Sequence, residues 1–593
     1  MHMNQNVLTI TAADQKNPLI KELLKKLCER DEALENKNQV IEEINEENKK
    51  LKEEIQLLKN EIAELKKAPR RPKIKANIKP QNSKNSQTDL NPPEKRPGSA
   101  KKSKQLEIHE TKVLRPENIP EGSTLKRTRS YEVQDLRIVV HNTRYLLEEW
   151  ETPDGEILSA QKPKNESQNH FGNELCAFIL DQHHQCQVTQ PLLYEQLREF
   201  GIDISEGQLN NILTENNHLF HQEKNEILQS ALKVSSYIQV DDTGARHDGK
   251  NGYCTQIGNE FFAWFQSTEN KSRINFLEIL NSVYTNAGYL LNERAFEYML
   301  VNGLPKISLE KLKNSLSTLP LCNSNVIPID IHLNSKPSEQ GIKNHFLTKE
   351  SWLDWLKKQN IVNKTHIKIA TEAVLLAGAL KGGLNEDLVI LSDDAGQFNI
   401  PFLIHALCWI HEERHIKKLI PTTESYRTIQ EKTLEDFWNL YRTIKEYKKN
   451  PTLEFRISIQ NSFDELFKRK TGYVLLDLVL QRALIKKKEL LVVLERLDIP
   501  LHNNGSETDI REYVKRKKVS GGTRSLSGQQ SRDTFASVKK TCRKLGLSFY
   551  TYLKDRLSGT FKIAKLGSLI EQAAANKAAL ALKNQSQQGA AAA

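Results

Sequence analysis

The chain has 593 residues, of which 38% are apolar and 27% charged, and it carries a formal net charge of +11. That length exceeds what one hydrophobic core spans, so several domains are expected. It contains no run of about 18 uncharged apolar residues, which excludes a membrane-spanning helix, and its seven cysteines include no CxxC pair, which argues for reduced thiols rather than a disulfide frame or a Cys-rich zinc finger.

The opening MHMNQNVLTI has neither a basic n-region nor an apolar h-region, so no secretory signal is expected. Residues 16–67 predict a parallel coiled coil. Alternating three- and four-residue steps put Leu34, Ile41, Asn48, Ile55 and Ile62 at a, and Ile44, Leu51, Leu58 and Leu65 at d. Ile at a with Leu at d favours two strands, and one buried Asn48 fixes their register. Glu47, Glu54 and Glu61 at g face Lys52, Lys59 and Lys66 at e of a second copy, so a homodimer is expected.

Residues 68–105 form a basic, Pro-rich linker. Between Lys66 and Lys104 stand 13 Lys/Arg, two Asp/Glu and six prolines, a surplus that accounts for the whole net charge. Such a segment is expected to be a disordered tether that seeks polyanions, with Lys66, Arg70 and Arg71 among its DNA-binding candidates. A basic-zipper transcription factor is excluded, because there the basic helix precedes the zipper. Here it follows, and Pro69 and Pro72 break any continuous helix.

Residues 106–162 alternate (YEVQDLRIVV, TRYLLEEWETPDGEIL) around a Pro-Asp-Gly turn and predict a small β-rich module. Residues 163–230 predict a helical region. Within it, Thr189 to Leu213 reads as a helix–turn–helix, broken at Gly201 and restarted by a Ser205/Gln208 capping box. Many helical hairpins share that pattern without touching DNA.

Two short strands then run into paired aspartates, Tyr237–Val240 into Asp241-Asp242 and Leu388–Leu391 into Ser392-Asp393-Asp394. Two further strand-like runs, GYCTQIG and FFAWFQS, and a helix from about Lys271 lie between them. Three strands, a helix and a strand tipped with an acid form the order of an RNase H-like core, here in two parts at 231–280 and 387–421. Its chemistry needs carboxylates because Mg²⁺ is a hard ion that prefers oxygen ligands. Two such ions serve phosphoryl transfer by activating the attacking oxygen and stabilising the leaving one. Adjacent acids are also ordinary turn formers.

The third acid is Glu507, in LHNNGSETDIREYVKRKK, on a helix capped by Asn504 or Ser506. At 100° per residue, Arg511 and Lys518 lie within about 40° of Glu507. With Lys515 they form a basic stripe suited to holding DNA beside the ions. Glu507 opens a last core part, 501–557. The expected fold is therefore mainly α around an RNase H-like α/β core, interrupted by an insertion at 281–386 and a helical one at 422–500. A low-complexity tail closes the chain at 558–593.

His411-Glu412-Glu413-Arg414-His415 matches the H-E-x-x-H zinc signature. Two charges between the histidines and the lack of a third ligand downstream argue instead for HALCWIHEERH as a partly buried helix beside the metal site.

Together YIQVDDTGARHDGKNGYCTQIG, LSDDAGQF with HALCWIHEERH, and NNGSETDIREYVKRKKVSGGTRS with SRDTFASVKKTCRKLG resemble the DDE-type bacterial transposases of the insertion-sequence-66 group, over roughly 117–557. The resemblance implies a DNA transposase whose catalytic, metal-holding acids are Asp241, Asp393 and Glu507. It also implies two Mg²⁺ ions, for which Mn²⁺ substitutes, double-stranded transposon-end and target DNA as partners, and a cytoplasmic, nucleoid-associated location. The sequence departs from the group in lacking a Cys-rich motif before the helical region and in the length of 281–386. Asp242 and Asp394 stay open as alternatives one residue on. Two other classes share these features, a non-catalytic DNA-binding protein or decayed transposase, and an RNase H-like nuclease that cuts without joining.

The coiled-coil reading is checked by sedimentation of the full chain. Replacing Leu51, Ile55 and Leu58 with Gln is expected to turn a dimer into a monomer, because three consecutive seam positions lose their apolar partners. An unchanged mass would remove the coil from assembly.

Overall fold

The computed structural model describes residues 22, 107–163, 170–284, 288–315, 345–346 and 348–592. The coiled coil, apart from Glu22, and the linker with Lys66, Arg70 and Arg71 lie outside the described residues. The chain divides into two units, Met1–Ser130 and Tyr131–Ala593. In the first, residues 107–130 are irregular and exposed. Every element below belongs to the second.

The β-rich module expected at 106–162 reduces to one hairpin, β1 (Glu149–Glu151) and β2 (Ile157–Ser159), closed by the Pro-Asp-Gly turn with Gly155 at φ +80°. The alternating YEVQDLRIVV stretch is irregular. Its Val133, Leu136 and Val139 are each at least three-quarters exposed, so the period-2 pattern finds no second layer to bury against, and an isolated strand does not persist without one.

Four helices follow, α1 (Asn173–His184), α2 (Gln190–Glu199), α3 (Glu206–Thr214) and α4 (His218–Val234). The helix–turn–helix forms as its capping residues dictate. The Gln208 N–H donates to Ser205 Oγ (3.2 Å) while the Ser205 N–H donates to Gln208 Oε1 (2.9 Å), and Gly201 takes φ +85° at the break. Leu193, Leu197, Leu209 and Leu213 are buried in its core.

Next come β3 (Tyr237–His247), β4 (Lys250–Gly258), β5 (Ala263–Thr268) and α5 (Arg273–Ser282). The stretch read as an insertion holds β6 (Tyr289–Leu290), α6 (Glu293–Val301), α7 (Lys306–Asn314), β7 (His345–Phe346), α8 (Lys349–Lys358) and α9 (Lys364–Gly382). It is not a separate body. α9 packs on α5 and α6, and its Ala373, Leu376 and Ala377 share one core with Ile238 and Val240 of β3.

β8 (Val389–Ser392) and β9 (Ile404–Leu407) complete a five-stranded sheet of order β5-β4-β3-β8-β9. β3 to β5 are antiparallel neighbours, while β8 and β9 run parallel to β3. Two details depart from expectation. β3 runs past Val240 to His247, so the paired aspartates sit mid-strand, because β4 continues the ladder opposite them (Asp241↔Gln256, Asp242↔Thr255). The segment HALCWIHEERH is half strand, since His405 to Leu407 pair with β8 and only Trp409 onward is helical.

The helical insertion forms a second core. α10 (Trp409–Lys417), α11 (Glu424–Tyr447), α12 (Leu453–Phe467), α13 (Val474–Ile485) and α14 (Lys487–Leu490) enclose Trp409, Phe437, Phe463 and Leu480. α15 (Asn504–Ser520), α16 (Leu526–Lys544), α17 (Phe549–Leu557) and α18 (Leu566–Ala592) then return to the first core. The region read as a low-complexity tail is helical, and α18 docks on α4 through buried Leu566 and Ile570. Among the described residues no helix is long and apolar enough to cross a membrane.

α16 covers the free edge of β5. The backbone N–H groups of Ala263, Phe265 and Ser267 donate to Thr541 Oγ1 (3.3 Å), Ser537 Oγ (3.0 Å) and Asp533 Oδ2 (2.6 Å), residues one helical turn apart. An edge strand otherwise presents these donors unpaired. α15 is locked to α16 by Glu512, whose carboxylate lies 2.6 Å from both Lys539 and Lys540. Burial opposes ionisation of Glu512, but the two ammonium groups hold its carboxyl down at about 2. Glu512→Gln strips buried Lys539 of its carboxylate partner and leaves Lys540 only Asp509, 3.6 Å away, and is expected to cost about 3 kcal/mol at neutral pH. The wild-type advantage is complete above the ordinary carboxyl value and fades as pH falls toward about 2. Denaturant unfolding of both proteins at pH 7 and pH 3 checks this; equal stability at pH 7 would refute it.

Candidate active site

Strand alternation decides which aspartate faces which layer. Gln239 and Asp241 point to one face of β3, Val240 and Asp242 to the other. Gln239 Nε2 donates to the His502 carbonyl (3.0 Å), so the Asp241 face is the one α15 approaches. Asp242, on the opposite face, accepts from Thr255 Oγ1 (2.6 Å) and Gln397 Nε2 (2.9 Å). Asp393, the first residue beyond β8, follows the parity of Val389 and Leu391, which share a cluster with Tyr237 on the Asp241 face. Asp394 is turned into an ion pair with Arg482 (2.7 Å) and Lys486 (3.3 Å). Burial works against its charge, yet these two cations hold its carboxyl below the usual range.

Glu507 is positioned by the residues just before it. The buried Asn503 donates from Nδ2 to the carbonyl of Val240 (2.8 Å), the residue before Asp241. Ser506 Oγ donates to Gln256 Oε1, directly opposite Asp241 on β4. Gly505 lets the helix come this close, since a Cβ there would meet Gln239 Oε1 at 2.1 Å. The helix is capped at Asn503, one residue before the first of the two predicted caps, and the Asn503 side chain serves the sheet instead of the helix. Thus the sequence NNGSE is a docking device, and Glu507 falls on the first turn of α15 as its consequence.

The acids feel one another. Burial pushes the Asp241 carboxyl up to about 6. The Asp242 N–H pulls it partly back, and the charges of Asp393, Asp242 and Glu507 push it further. Glu507 meets α10 on its other side. Arg414 Nη2 donates to Oε2 (3.1 Å), Arg414 Nη1 lies 3.0 Å from Oε1, and His411 Nε2 lies 3.7 Å away. The Glu507 Oε1 atom is buried and accepts no well-formed hydrogen bond. Among the described residues no three His, Cys, Asp or Glu side chains form a closed ligand cluster. The three acids nevertheless fit hard cations in kind, being all-oxygen donors, one of them lacking a donor of its own.

The H-E-x-x-H match supplies no such cluster. His411 Nε2 takes a hydrogen bond from Arg414 (3.1 Å) and His415 Nε2 one from Arg482 (3.1 Å), while Glu412 and Glu413 are buried. Sequence reasoning missed Gln397, Arg414 and Asn503. The available signal was the i, i+3 spacing of His411 and Arg414, which puts both on one side of a helix. Arg511, Lys515 and Lys518 are exposed on α15.

Residues 375–531, which include Asp393 and Glu507 but not Asp241, match the family model described as Transposase IS66 family. The chain is also 38% identical over 333 residues, 56% of its length and 94% of the relative's, to a protein described as uncharacterized protein y4jO from Sinorhizobium fredii (strain NBRC 101917 / NGR234). The chain belongs to the IS66 transposase family.

In this IS66-family chain Gly505 gives a direct test of the docking. Gly505→Ala is expected to displace the Gln239 side chain from its hydrogen bond to the His502 carbonyl and to lower the melting temperature by several degrees, read by thermal unfolding. Adding Gln239→Ala, which removes the colliding atoms, is expected to restore a substantial part. No loss in the single variant, or no recovery in a folded double variant, would sink the close-approach account.

Proposed function

We propose that the chain cuts and joins DNA as a DDE transposase with Asp241, Asp393 and Glu507 as its metal-holding carboxylates. One observation carries the reading. The sheet order β5-β4-β3-β8-β9 supports an RNase H-like core, with one acid on its first strand, one after its fourth and one on a helix tied to the first. The engagement of Asp394 by Arg482 and Lys486, and of Asp242 by Thr255 and Gln397, supports Asp241 and Asp393 as the open pair.

The donor set suits two Mg²⁺ ions, or Mn²⁺ in their stead, which supply activation of the attacking oxygen and stabilisation of the leaving one. Asp241 and Asp393 would hold both ions and Glu507 would complete the shell of the second. Until then Arg414 neutralises Glu507, and a cation must take over from that guanidinium. Through α3, which carries no Lys or Arg, the exposed Asn210 and Asn211 are the candidates for reading bases at transposon ends, since asparagine pairs with adenine edges. Arg511, Lys515 and Lys518 would grip backbone phosphates beside the acids. The coiled coil would pair two protomers so that both ends are cut together.

Asp241→Asn, Asp393→Asn and Glu507→Gln are each expected to reduce Mg²⁺-dependent cleavage of element-end DNA to background while DNA binding persists. Full cleavage by any one of them removes that residue from the site. Cleavage by Asp241→Asn together with a dead Asp242→Asn would shift the register by one. Products joined to a target duplex distinguish the transposase from a nuclease that only cuts.

A further inference from the structure

A cleft of about 670 Å³ lies between the helix–turn–helix and the paired helices α15 and α16. Asn210 and Thr214 of α3 line one wall, and Arg516, Arg524 and Arg532 line the other. Lys539 and Lys540 also reach it, but both are paired with Glu512 and Lys540 with Asp509 as well. The arginines are not. Among the described residues none of the three is paired with a carboxylate.

Their partners are neutral. Arg516 donates to the carbonyl of His183 and to its ring, Nδ1 lying 3.0 Å away. Arg532 lies over the Tyr513 ring (5.9 Å to its centroid) and donates to the Gly521 carbonyl (3.0 Å). Arg524 is exposed on the loop that joins α15 to α16. That loop is pinned to the β3–β4 hairpin, where Thr523 accepts from the Asp248 N–H (2.8 Å) and donates to the Arg246 carbonyl (3.0 Å). Burial and the Arg532 charge push the Arg516 guanidinium down to about 10. Burial, then Arg516, pushes His183 down to about 3, so the imidazole stays neutral and can accept from the guanidinium without adding a second positive charge. Glu206 of α3 and Asp509 and Glu512 of α15 also line the cleft, but Asp509 and Glu512 are taken up by Lys539 and Lys540, so a concave wall of guanidinium groups free of carboxylate partners, on a pinned frame, is matched to a chain of phosphates.

We propose that this cleft holds the sugar–phosphate backbone of one strand of duplex DNA, with Arg516, Arg524 and Arg532 on its phosphates and α3 beside the exposed bases. The inference rests on the transposase reading above and adds where the DNA runs. Arg516 lies nine residues along α15 from Glu507, about 14 Å at 1.5 Å per residue. At 100° per residue it also lies on the opposite side of α15 from Glu507, so DNA held in the cleft would have to pass around the helix to reach the acids.

The test is binding of the full chain to a fluorescent end-DNA duplex without divalent cation, titrated over salt. Arg524→Gln with Arg532→Gln is expected to weaken binding about tenfold and to lower the salt slope by about 1.8, at 0.9 per lost phosphate contact. Arg524→Lys with Arg532→Lys is expected to keep the slope. Unchanged affinity and slope in the glutamine variant overturn the proposal. If that variant melts below the wild type, Arg524→Gln alone decides. A slope lower by about 0.9 upholds the cleft and an unchanged slope overturns it. Arginine-dependent stabilisation by inorganic phosphate, with duplex affinity unchanged, would make this a free-anion site and also overturn it. Absence of Mg²⁺-dependent nicking by the wild type sinks the transposase reading instead and leaves the binding result standing.

Discussion

The hydrogen bond from Asn503 to the Val240 carbonyl ties the start of α15 to the middle of β3, and the acidic cluster depends on it. Glu507 comes from a point in the chain 266 residues beyond Asp241, so no local preference brings the two together. Buried polar groups must be satisfied, and here the satisfaction is reciprocal. The strand gives a carbonyl to Asn503, Gln239 serves the His502 carbonyl, and Ser506 meets Gln256. Because these contacts bracket Asp241 in sequence and in space, the glutamate can land nowhere else. Gly505 sets how close that landing is.

Assembling three carboxylates costs electrostatic free energy, and the surrounding structure distributes it. Asp241 takes a raised carboxyl value, Glu507 leans on Arg414, and Asp394, the neighbour of Asp393 and not one of the three, is neutralised by Arg482 and Lys486. Each neutralising cation comes from the helical insertion or from the helix that leads into it. That insertion therefore does more than fill space. α10 brings His411 and Arg414 to one side of Glu507, and α13 brings Arg482 to Asp394 and His415.

The last third of the chain closes the other side of the sheet by the same logic. Asp533, Ser537 and Thr541 recur at one helical turn and occupy the β5 edge donors. With that face of α16 committed to the sheet and Lys539 and Lys540 committed to Glu512, half-buried Arg532 lines the cleft with half-buried Arg516 and exposed Arg524. Three arginines without carboxylate partners thus line the cleft beside the helix–turn–helix.

What the sequence determined by itself is local. The capping box at Ser205 and Gln208, the break at Gly201, the strands around Asp241 and Asp393 and the helix bearing Glu507 follow from short-range patterns, since cap, turn and periodicity signals act within a few residues. Local pattern also misled where it lacked a partner. YEVQDLRIVV alternates as a strand but has no layer to bury against, whereas His405 to Leu407 look helical in sequence and become a strand because the edge of β8 is open to them. Only the tertiary structure decided the rest. It carried β3 through both aspartates, drew α9 of the supposed insertion into the main core, turned Asp394 to Arg482, and gave Arg414 to Glu507. These outcomes depend on which buried donors and charges find partners hundreds of residues away, and composition and spacing hold no record of that pairing.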